Sequence, residues 1–273
     1  MTRGKRVWAA QTIKGASGNA PENLTMPKSN PPSPTQLLPG DRTFHSLLTP
    51  YLAPYLVYVA LSSIPASVVD PAIAQAVKLA ATAALLLWFR RKYRFGPFRI
   101  FHAFATLVAL PLALAAWIGP FYLLDALGVA AIPEPSVKVY SANAYFYLRL
   151  FNSTILVAFF EELFTRVYMM GWLYQADRQR HEKGTLTSIL DTLDQHPAPL
   201  ATLPLSAFSV IGTTIVFTAG HSPREYLSAV CYFLFTTWLY RKTASLWLCI
   251  IIHALVNLII ALLVGCARLT WLW

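Results

Sequence analysis

Hydrophobic and polar positions divide the chain into a polar beginning and a long apolar remainder. Up to about residue 49, prolines are interspersed with Ser, Asn, Thr and Gly, a mixture too poor in apolar side chains to offset the entropy of ordering it. We therefore expect 1–49 to be a disordered basic tail. Seven apolar segments follow, each near the roughly 20 residues that a helix needs to cross a hydrocarbon core. They are residues 50–68, 72–89, 103–124, 144–175, 203–221, 226–240 and 244–264.

These segments predict an all-α fold, a polytopic transmembrane helix bundle of about seven spans. An eighth, re-entrant element stays open, because the first segment is rich in Tyr and Pro and the sixth is short. The connection 177–202 mixes charged residues with leucines at helical spacing. It is interpreted either as a short amphipathic helix on the cytoplasmic surface or as a solvated loop.

Composition and charge agree with a membrane location. The chain is 56% hydrophobic and 12% charged, whereas soluble domains carry about 25% charged residues. With seven spans, sixteen of the 22 Lys and Arg residues fall on one face and three on the other. The positive-inside rule then predicts a cytoplasmic N-terminus, with Trp271 and Trp273 as interfacial anchors outside. The net charge of +10 is thus a topology signal, and we expect no nucleic-acid partner.

Three charged residues lie within six positions of the fourth apolar segment: Glu161, Glu162 and Arg166. A charge at mid-bilayer costs about 2.5 to 3.5 kcal/mol even on lenient scales. Because Glu162 and Arg166 are one helical turn apart, they share a face and can form an ion pair. Glu161 points about 100° away and needs a partner on another helix. This stretch alone fits either a buried ion network that fixes helix packing or a carboxylate kept for acid–base chemistry.

Two further polar pairs lie on separate apolar segments. Phe217 and His221 are one turn apart at the end of the fifth segment, where a histidine often serves only as a capping or interfacial residue. His253 and Asn257 leave the same face of the last segment, and polar groups at that depth need a partner on another helix or water. Each pair taken singly is also explained by a simple interhelix hydrogen bond.

Taken together, the three motifs resemble the CPBP family, the CAAX-processing and bacteriocin-processing intramembrane endopeptidases. They occur in that family's order as EExxxR from Glu161 to Arg166, FxxxH ending at His221 and HxxxN ending at Asn257. The resemblance covers about residues 144–264, and the chain's ending is also similar to the CAAX protease-related proteins of exosortase sorting systems. It divides the chain into the tail 1–49, N-terminal helices 50–143, a catalytic core 144–265 and a Trp-rich end 266–273.

The resemblance implies an active site buried within the membrane, with a role for each motif residue. Glu161 would act with His221 to activate a water molecule that attacks the scissile carbonyl, while His253 and Asn257 would hold the oxyanion. Imidazole and carboxamide N–H groups are competent oxyanion donors. Phe217 would support the site.

Glu162 and Arg166 would brace the site, in agreement with their one-turn spacing. A carboxylate and two imidazoles can also form a catalytic zinc site, which here would consist of Glu161, His221 and His253. The usual helical zinc signature HExxH is absent from the sequence. The resemblance favours a metal-free mechanism without a cofactor.

The sequence therefore predicts an intramembrane endopeptidase of a bacterial inner membrane that cleaves a peptide bond near the membrane surface. Glu161 lies about 22 Å along the helix from residue 176, toward the outer half of the membrane. The expected substrates are exported or membrane-anchored peptides, including lipid-modified peptides and those with a C-terminal sorting signal. The other partner is membrane lipid. Two alternatives are a non-catalytic scaffold or immunity protein and a proton-coupled transporter.

Overall fold

The computed structural model describes residues 48–93, 95–133, 144–193 and 205–272, which within these ranges form helices joined by turns, without a strand. The helices are numbered here in chain order. They are α1 Thr49–Ser62, α2 Pro71–Phe89, α3 Ile100–Ala126, α4 over residues 144–183, α5 Thr185–Thr192, α6 Ala207–Ala219, α7 Tyr226–Thr243 and α8 Leu246–Ala267.

Helix α4 is continuous but changes its hydrogen-bonding pattern along its length. Two stretches of π-helix, Asn152–Val157 and Leu163–Met169, enclose the short α-helical stretch Ala158–Glu162. Such wide turns are rare and occur often at functional sites. The adjacent glutamates therefore lie in a short α-helical stretch with a wide turn on either side.

Short polar residues determine where several helices begin. The Asp70 carboxylate accepts hydrogen bonds from the backbone N–H groups of Ala72 and Ile73, and Pro71 occupies the first turn of α2. Ser206 and Ser245 begin α6 and α8 in the same way. These caps satisfy N–H groups that have no partner within the helix, a requirement that is stricter in lipid than in water.

Helix α4 lies at the centre of the bundle. It contacts α1, α2, α6 and α8 along its length, while α3 packs against α7 and α8. The buried side chains around α4 are mainly aromatic and aliphatic, with Phe160, Phe233 and Ile252 almost fully enclosed. The helices that carry the other two motifs, α6 and α8, thus both pack against α4, which carries the first.

The outer surface of the bundle is apolar. Large hydrophobic side chains are exposed along α3, where Val108 is 73% exposed, and at the end of α2, where Trp88 is 82% exposed. Contiguous apolar surface of this kind suits lipid rather than water. By length and composition, Pro71–Lys92, Ile100–Ala126 and Leu246–Ala267 are each suited to cross a membrane. The protein is accordingly a helical integral membrane protein.

Each of the seven predicted segments coincides with a helix, but not every helix is long. Helix α1 has 14 residues and α6 has 13, against the roughly 20 that a perpendicular span requires. The chain leaves α1 at Ser62, before the predicted end of the first segment at residue 68. The number of spans therefore stays a prediction.

The basic connections meet at one end of the bundle. Tyr93 in the connection between α2 and α3 donates a hydrogen bond to the Pro50 carbonyl at the start of α1, at 2.7 Å. Trp247 at the start of α8 donates to the Gly96 carbonyl at 3.1 Å. The last turn of α7, which carries Arg241 and Lys242, therefore lies at the same end of the bundle as the connection between α2 and α3. We call this the basic end. At the opposite end, the Arg224 guanidinium donates to the Ala131 carbonyl.

The polar connection after α4 contains a helix, which decides between the two interpretations of its sequence. Helix α4 runs on to Lys183, beyond the predicted end at residue 175, and α5 follows directly. Trp172 of α4 donates a hydrogen bond to the Ile189 carbonyl of α5 at 3.0 Å. The predicted disordered tail up to residue 47 and Trp273 lie outside the described residues, and the four-part division of the chain stays a prediction.

Candidate active site

A cavity of about 500 Å³ opens between the helices at the end opposite the basic end. It is lined by the last residue of α1, the first turns of α2 and α4, and the turn between α6 and α7. Four residues from the three sequence motifs share its wall: Glu161, His221, His253 and Asn257. The fold therefore brings the predicted catalytic residues from three segments of the chain to the wall of one cavity.

Glu162 and Arg166 form the predicted ion pair and lie beside the cavity rather than in its wall. The Arg166 side chain is 0% exposed and that of Glu162 is 2% exposed, and the two are bridged through the guanidinium Nε. The remaining guanidinium nitrogens donate to Thr237 Oγ1 at 3.0 Å and Thr236 Oγ1 at 2.6 Å. The guanidinium also lies over the Phe233 ring, 4.7 Å from its centroid. These contacts satisfy a charge that would otherwise be costly to bury.

His253 lies between the two glutamates. Its Nδ1 is 3.1 Å from Glu162 Oε1, and its Nε2 is 3.9 Å from Glu161 Oε2. Because Arg166 keeps Glu162 as an acceptor-only carboxylate, His253 Nδ1 is the donor in the shorter contact. That bond fixes the ring so that Nε2 faces Glu161 and the cavity, with the Tyr232 ring packed edge-on against it. Glu162 thus orients His253 as well as neutralising Arg166.

Glu161 is the carboxylate of α4 that lines the cavity, and Glu225, which accepts hydrogen bonds from Ser222, lines it from the turn between α6 and α7. The Glu161 side chain is 18% exposed, and its Oε2 has no hydrogen-bond partner among the described residues. His253 Nε2 on α8 lies 3.9 Å from the same oxygen, which is beyond hydrogen-bond distance. A carboxylate in the wall of a cavity can hold a water molecule and accept its proton.

His221 follows the end of α6 and is fixed by its own helix. Its Nδ1 is 2.8 Å from the Phe217 carbonyl oxygen, which can only accept, so Nδ1 carries the proton. The Nε2 of the neutral ring then keeps a lone pair. The ring packs against Phe217 at 4.7 Å and edge-on against Trp117 at 5.3 Å between centroids. The one-turn FxxxH spacing therefore presents a hydrogen-bond acceptor at the cavity.

Asn257 joins the last helix to α4. Its Nδ2 donates to the Ser153 carbonyl at 2.8 Å, and the side chain also lines the cavity one turn from His253. A carboxamide nitrogen has two N–H groups, so one remains for a ligand.

The geometry does not gather a metal-binding set. Among the described residues, no group of three or more His, Cys, Asp or Glu side chains is placed to hold one metal ion. This includes Glu161, His221 and His253, the set considered for zinc. The cavity wall contains the carboxylates of Glu161 and Glu225, the imidazoles of His221 and His253 and the carboxamide of Asn257.

Several residues at the site carry no sequence motif. Thr236 and Thr237 hold Arg166, and their only signal was a pair of hydroxyls in an apolar segment. Trp117 belongs to α3, which contains none of the three motifs. Lys78 and Arg149 lie within apolar segments but belong to none of the three motifs, and both line the cavity. Contacts between distant helices cannot be deduced from spacing along one helix.

Comparison with known proteins identifies the part of the chain that carries the site. Residues 143–259 match a family model described as type II CAAX prenyl endopeptidase Rce1-like. This range contains all three motifs and excludes α1, α2 and α3. Searches among curated proteins and among solved structures gave no match.

Proposed function

Because the chain belongs, through residues 143–259, to the Rce1-like family of type II CAAX prenyl endopeptidases, we propose that it is an intramembrane endopeptidase. The observation that carries the proposal is the shared cavity. Glu161, His221, His253 and Asn257 come from three separate segments, and all four line it. The neighbouring Glu162 forms an ion pair with Arg166 and a hydrogen bond with His253, so the two glutamates have different roles.

In the proposed reaction, Glu161 and His221 activate a water molecule. The water hydrogen-bonds to the Glu161 carboxylate and the His221 Nε2 lone pair, and its oxygen attacks the scissile carbonyl carbon as its proton passes to Glu161. The tetrahedral intermediate then collapses. The C–N bond breaks, and the proton held on Glu161 moves to the departing amine nitrogen.

His253 and Asn257 are the proposed oxyanion donors. The negative charge develops on the carbonyl oxygen, and Asn257 and His253 both line the cavity where that oxygen would lie. Because the Nδ1–H group of His253 donates to Glu162, its Nε2 donates to the oxyanion when both ring nitrogens carry a proton. A fixed donor at such a position contributes about 10² to 10³ in rate. Glu162 and Arg166 keep the His253 ring in place, so they are positioning residues.

We further propose that the cavity is reached from outside the cytoplasm. It lies at the end opposite the basic end, which the positive-inside rule assigns to the cytoplasm. The substrates would then be exported or membrane-anchored peptides of a bacterial inner membrane. Reporter fusions test the orientation, since a cytoplasmic N-terminus predicts activity of a C-terminal alkaline phosphatase fusion and none of an N-terminal one.

The decisive experiment compares peptide termini in membranes from cells that produce either the wild-type protein or Glu161→Gln. We expect a set of new termini with the wild type that Glu161→Gln and His221→Ala both lack. Glu182→Gln is the matched control, because Glu182 is an exposed carboxylate on the last turn of α4. Its profile should equal that of the wild type.

Two outcomes would reject this assignment. If Glu161→Gln folds and produces the same termini as the wild type, the polar cluster is structural and the scaffold alternative is favoured. If no termini differ but reconstituted protein moves protons or solutes in proteoliposomes, the transporter alternative is favoured.

A further inference from the structure

One polar side chain in the cavity wall comes from outside the family match. Tyr58 of α1 lines the same space as Glu161 but precedes residues 143–259. We propose that Tyr58 is a further catalytic residue, whose phenol O–H group gives its proton to the departing amine nitrogen and is then reprotonated by Glu161. The inference rests on the proposed function and extends it to the route by which the proton reaches the nitrogen.

The hydroxyl of Tyr58 is available to a ligand. The residue is half-buried, and its Oη forms no hydrogen bond with any residue that the structure describes. This oxygen is accessible rather than enclosed by protein atoms, in contrast to Oη of Tyr232 in the same cavity wall. A tyrosine hydroxyl in such a position normally has a hydrogen-bond partner. A peptide bound in the cavity would provide that partner.

Ring contacts hold Tyr58 beside Glu161. The Tyr58 ring packs against the ring of Phe160, the residue directly before Glu161, with 5.0 Å between the centroids. The Glu161 charge acts on the Tyr58 hydroxyl, and both side chains line the cavity. The two groups between which the proton passes therefore belong to one region of the cavity wall.

The Lys78 ammonium group lies over the face of the Tyr58 ring, 5.0 Å from its centroid. Lys78 Nζ also donates to Ser62 Oγ at 3.3 Å, and Ser62 Oγ donates to the Tyr58 carbonyl at 2.8 Å. Lys78 is 7% exposed, and no described carboxylate forms a salt bridge with it. When Tyr58 releases its proton, the resulting phenolate would be stabilised by this neighbouring positive charge. Lys78 is thus a positioning residue that also favours the proton transfer.

The position of Tyr58 suits the leaving nitrogen rather than the oxyanion. The proposed oxyanion donors, His253 and Asn257, belong to α8, whereas Tyr58 belongs to α1. Both helices contact the stretch Ala158–Glu162 of α4. In the tetrahedral intermediate, the oxyanion and the nitrogen are different substituents of the same carbon. Donors on different helices can therefore serve the two substituents at the same time.

Tyr58 acts in the second step of the proposed reaction, and its proton is restored from Glu161. In the first step, the attacking water loses one proton to the Glu161 carboxylate as its oxygen bonds to the carbonyl carbon. When the C–N bond breaks, the bonding electron pair stays on nitrogen, which receives the Tyr58 proton and leaves as a neutral amine. The proton on Glu161 then moves to the Tyr58 phenolate, and both side chains return to their starting states.

The experiment compares two leaving groups in one peptide. The probe is the peptide whose cleavage the membrane experiment identifies, synthesised either with the natural amide at the cleaved bond or with a thioester there. An amine must be protonated to leave, whereas a thiolate leaves without a proton. Cleavage of both peptides by the full-length protein in detergent is measured for the wild type and for Tyr58→Phe, which keeps the ring and its contacts with Phe160 and Lys78.

For Tyr58→Phe, we expect kcat for the amide to fall by at least about 100-fold at nearly unchanged KM, since a general acid is lost. The thioester should be cleaved within about threefold of the wild-type rate. This retained activity would also show that the variant is folded. Tyr147→Phe is the matched control, because Tyr147 is 56% exposed and does not line the cavity. It should equal the wild type with both peptides.

The role of Lys78 is tested with the same two peptides. Lys78→Met should lower the amide rate by about tenfold and spare the thioester rate, because a nearby positive charge is lost. Lys78→Arg should retain most of the amide rate. Equal losses with both peptides would show that Lys78 supports only the folded state.

Two results with Tyr58→Phe would overturn the proposal. If the variant cleaves the amide as fast as the wild type does, the phenol supplies no proton. If the amide and thioester rates fall equally, Tyr58 acts on the oxyanion or in packing rather than on the leaving group. Failure of the proposed function appears separately, as wild-type protein that generates no new termini in the membrane experiment, and the role of Tyr58 then fails with it.

Discussion

Removal of the Arg166 charge should destabilise the protein far more than removal of an exposed cation. In Arg166→Met, the Glu162 carboxylate stays 2% exposed and loses its counter-charge, while Thr236 and Thr237 lose their charged donor. Breaking a buried pair by removing one partner typically costs about 3 to 5 kcal/mol, because a buried charge is left uncompensated. We expect a loss in this range for Arg166→Met.

The double variant Glu162→Gln/Arg166→Met tests whether the uncompensated charge is the cause. A Gln at position 162 keeps an acceptor for His253 Nδ1 but carries no charge, so the double variant should recover more than half of the loss. The control is Lys183→Met, which removes a bridge to Asp191 whose side chains are 47% and 44% exposed. Such pairs contribute about 0 to 1 kcal/mol.

The measurement is equilibrium unfolding in mixed micelles, followed by tryptophan fluorescence. If Arg166→Met and Lys183→Met lose similar amounts of stability, the burial argument is wrong. If the double variant is no more stable than Arg166→Met, the cost comes from lost packing of the guanidinium on Phe233 rather than from charge.

Three smaller perturbations test other contacts. Gly265→Ala should lower stability by about 1 to 3 kcal/mol in thermal unfolding, because an added Cβ would lie 2.6 Å from the Phe146 ring; an unchanged melting temperature would show that the ring yields freely. Asp70→Ala should cost about 1 kcal/mol, and Asp70→Ser should restore most of it, since either side chain caps α2; equal loss in both would contradict the capping role. Thr236→Val should reduce cleavage of the identified substrate with a smaller loss of stability than Arg166→Met, because Thr237 still holds the guanidinium; full activity would mean that one hydroxyl suffices.

Local features of the site could be predicted from the sequence, and long-range ones could not. The ion pair of Glu162 and Arg166 follows from a one-turn spacing, and the structure confirms it. The division of labour between adjacent glutamates follows from the same geometry. That His253 contacts both glutamates depends on how α8 packs on α4, which no spacing along one chain segment encodes. The catalytic roles themselves remain predictions.

The positions of the helices could be predicted from the apolar segments of the sequence, whereas the ends of the helices could not. The predicted segments coincide with helices, but α1 ends at Ser62 and α4 extends to Lys183. Hydropathy shows where apolar side chains occur, but α4 continues through polar residues as far as Lys183, which forms a salt bridge with Asp191 of α5. The contribution of Lys78 to the cavity wall depends on the register between α2 and α4, which is set by tertiary contacts such as the Asn152 hydrogen bonds to Gln75.

The π-helical turn over Asn152–Val157 determines in which direction around the helix axis each later side chain of α4 points. Because each bond in a π-helix spans one residue more than in an α-helix, a single such turn absorbs one extra residue without rotating the helix beyond it. If the same six residues wound as ordinary α-helix, the downstream part would turn by about 100°, one residue's step. Phe160 would then face the cavity, and Glu161 would take the direction now held by Glu162. Which carboxylate of α4 lines the cavity therefore depends on helical phase, and deletion of one residue within the wide turn should change this less than forcing all six residues into a regular helix.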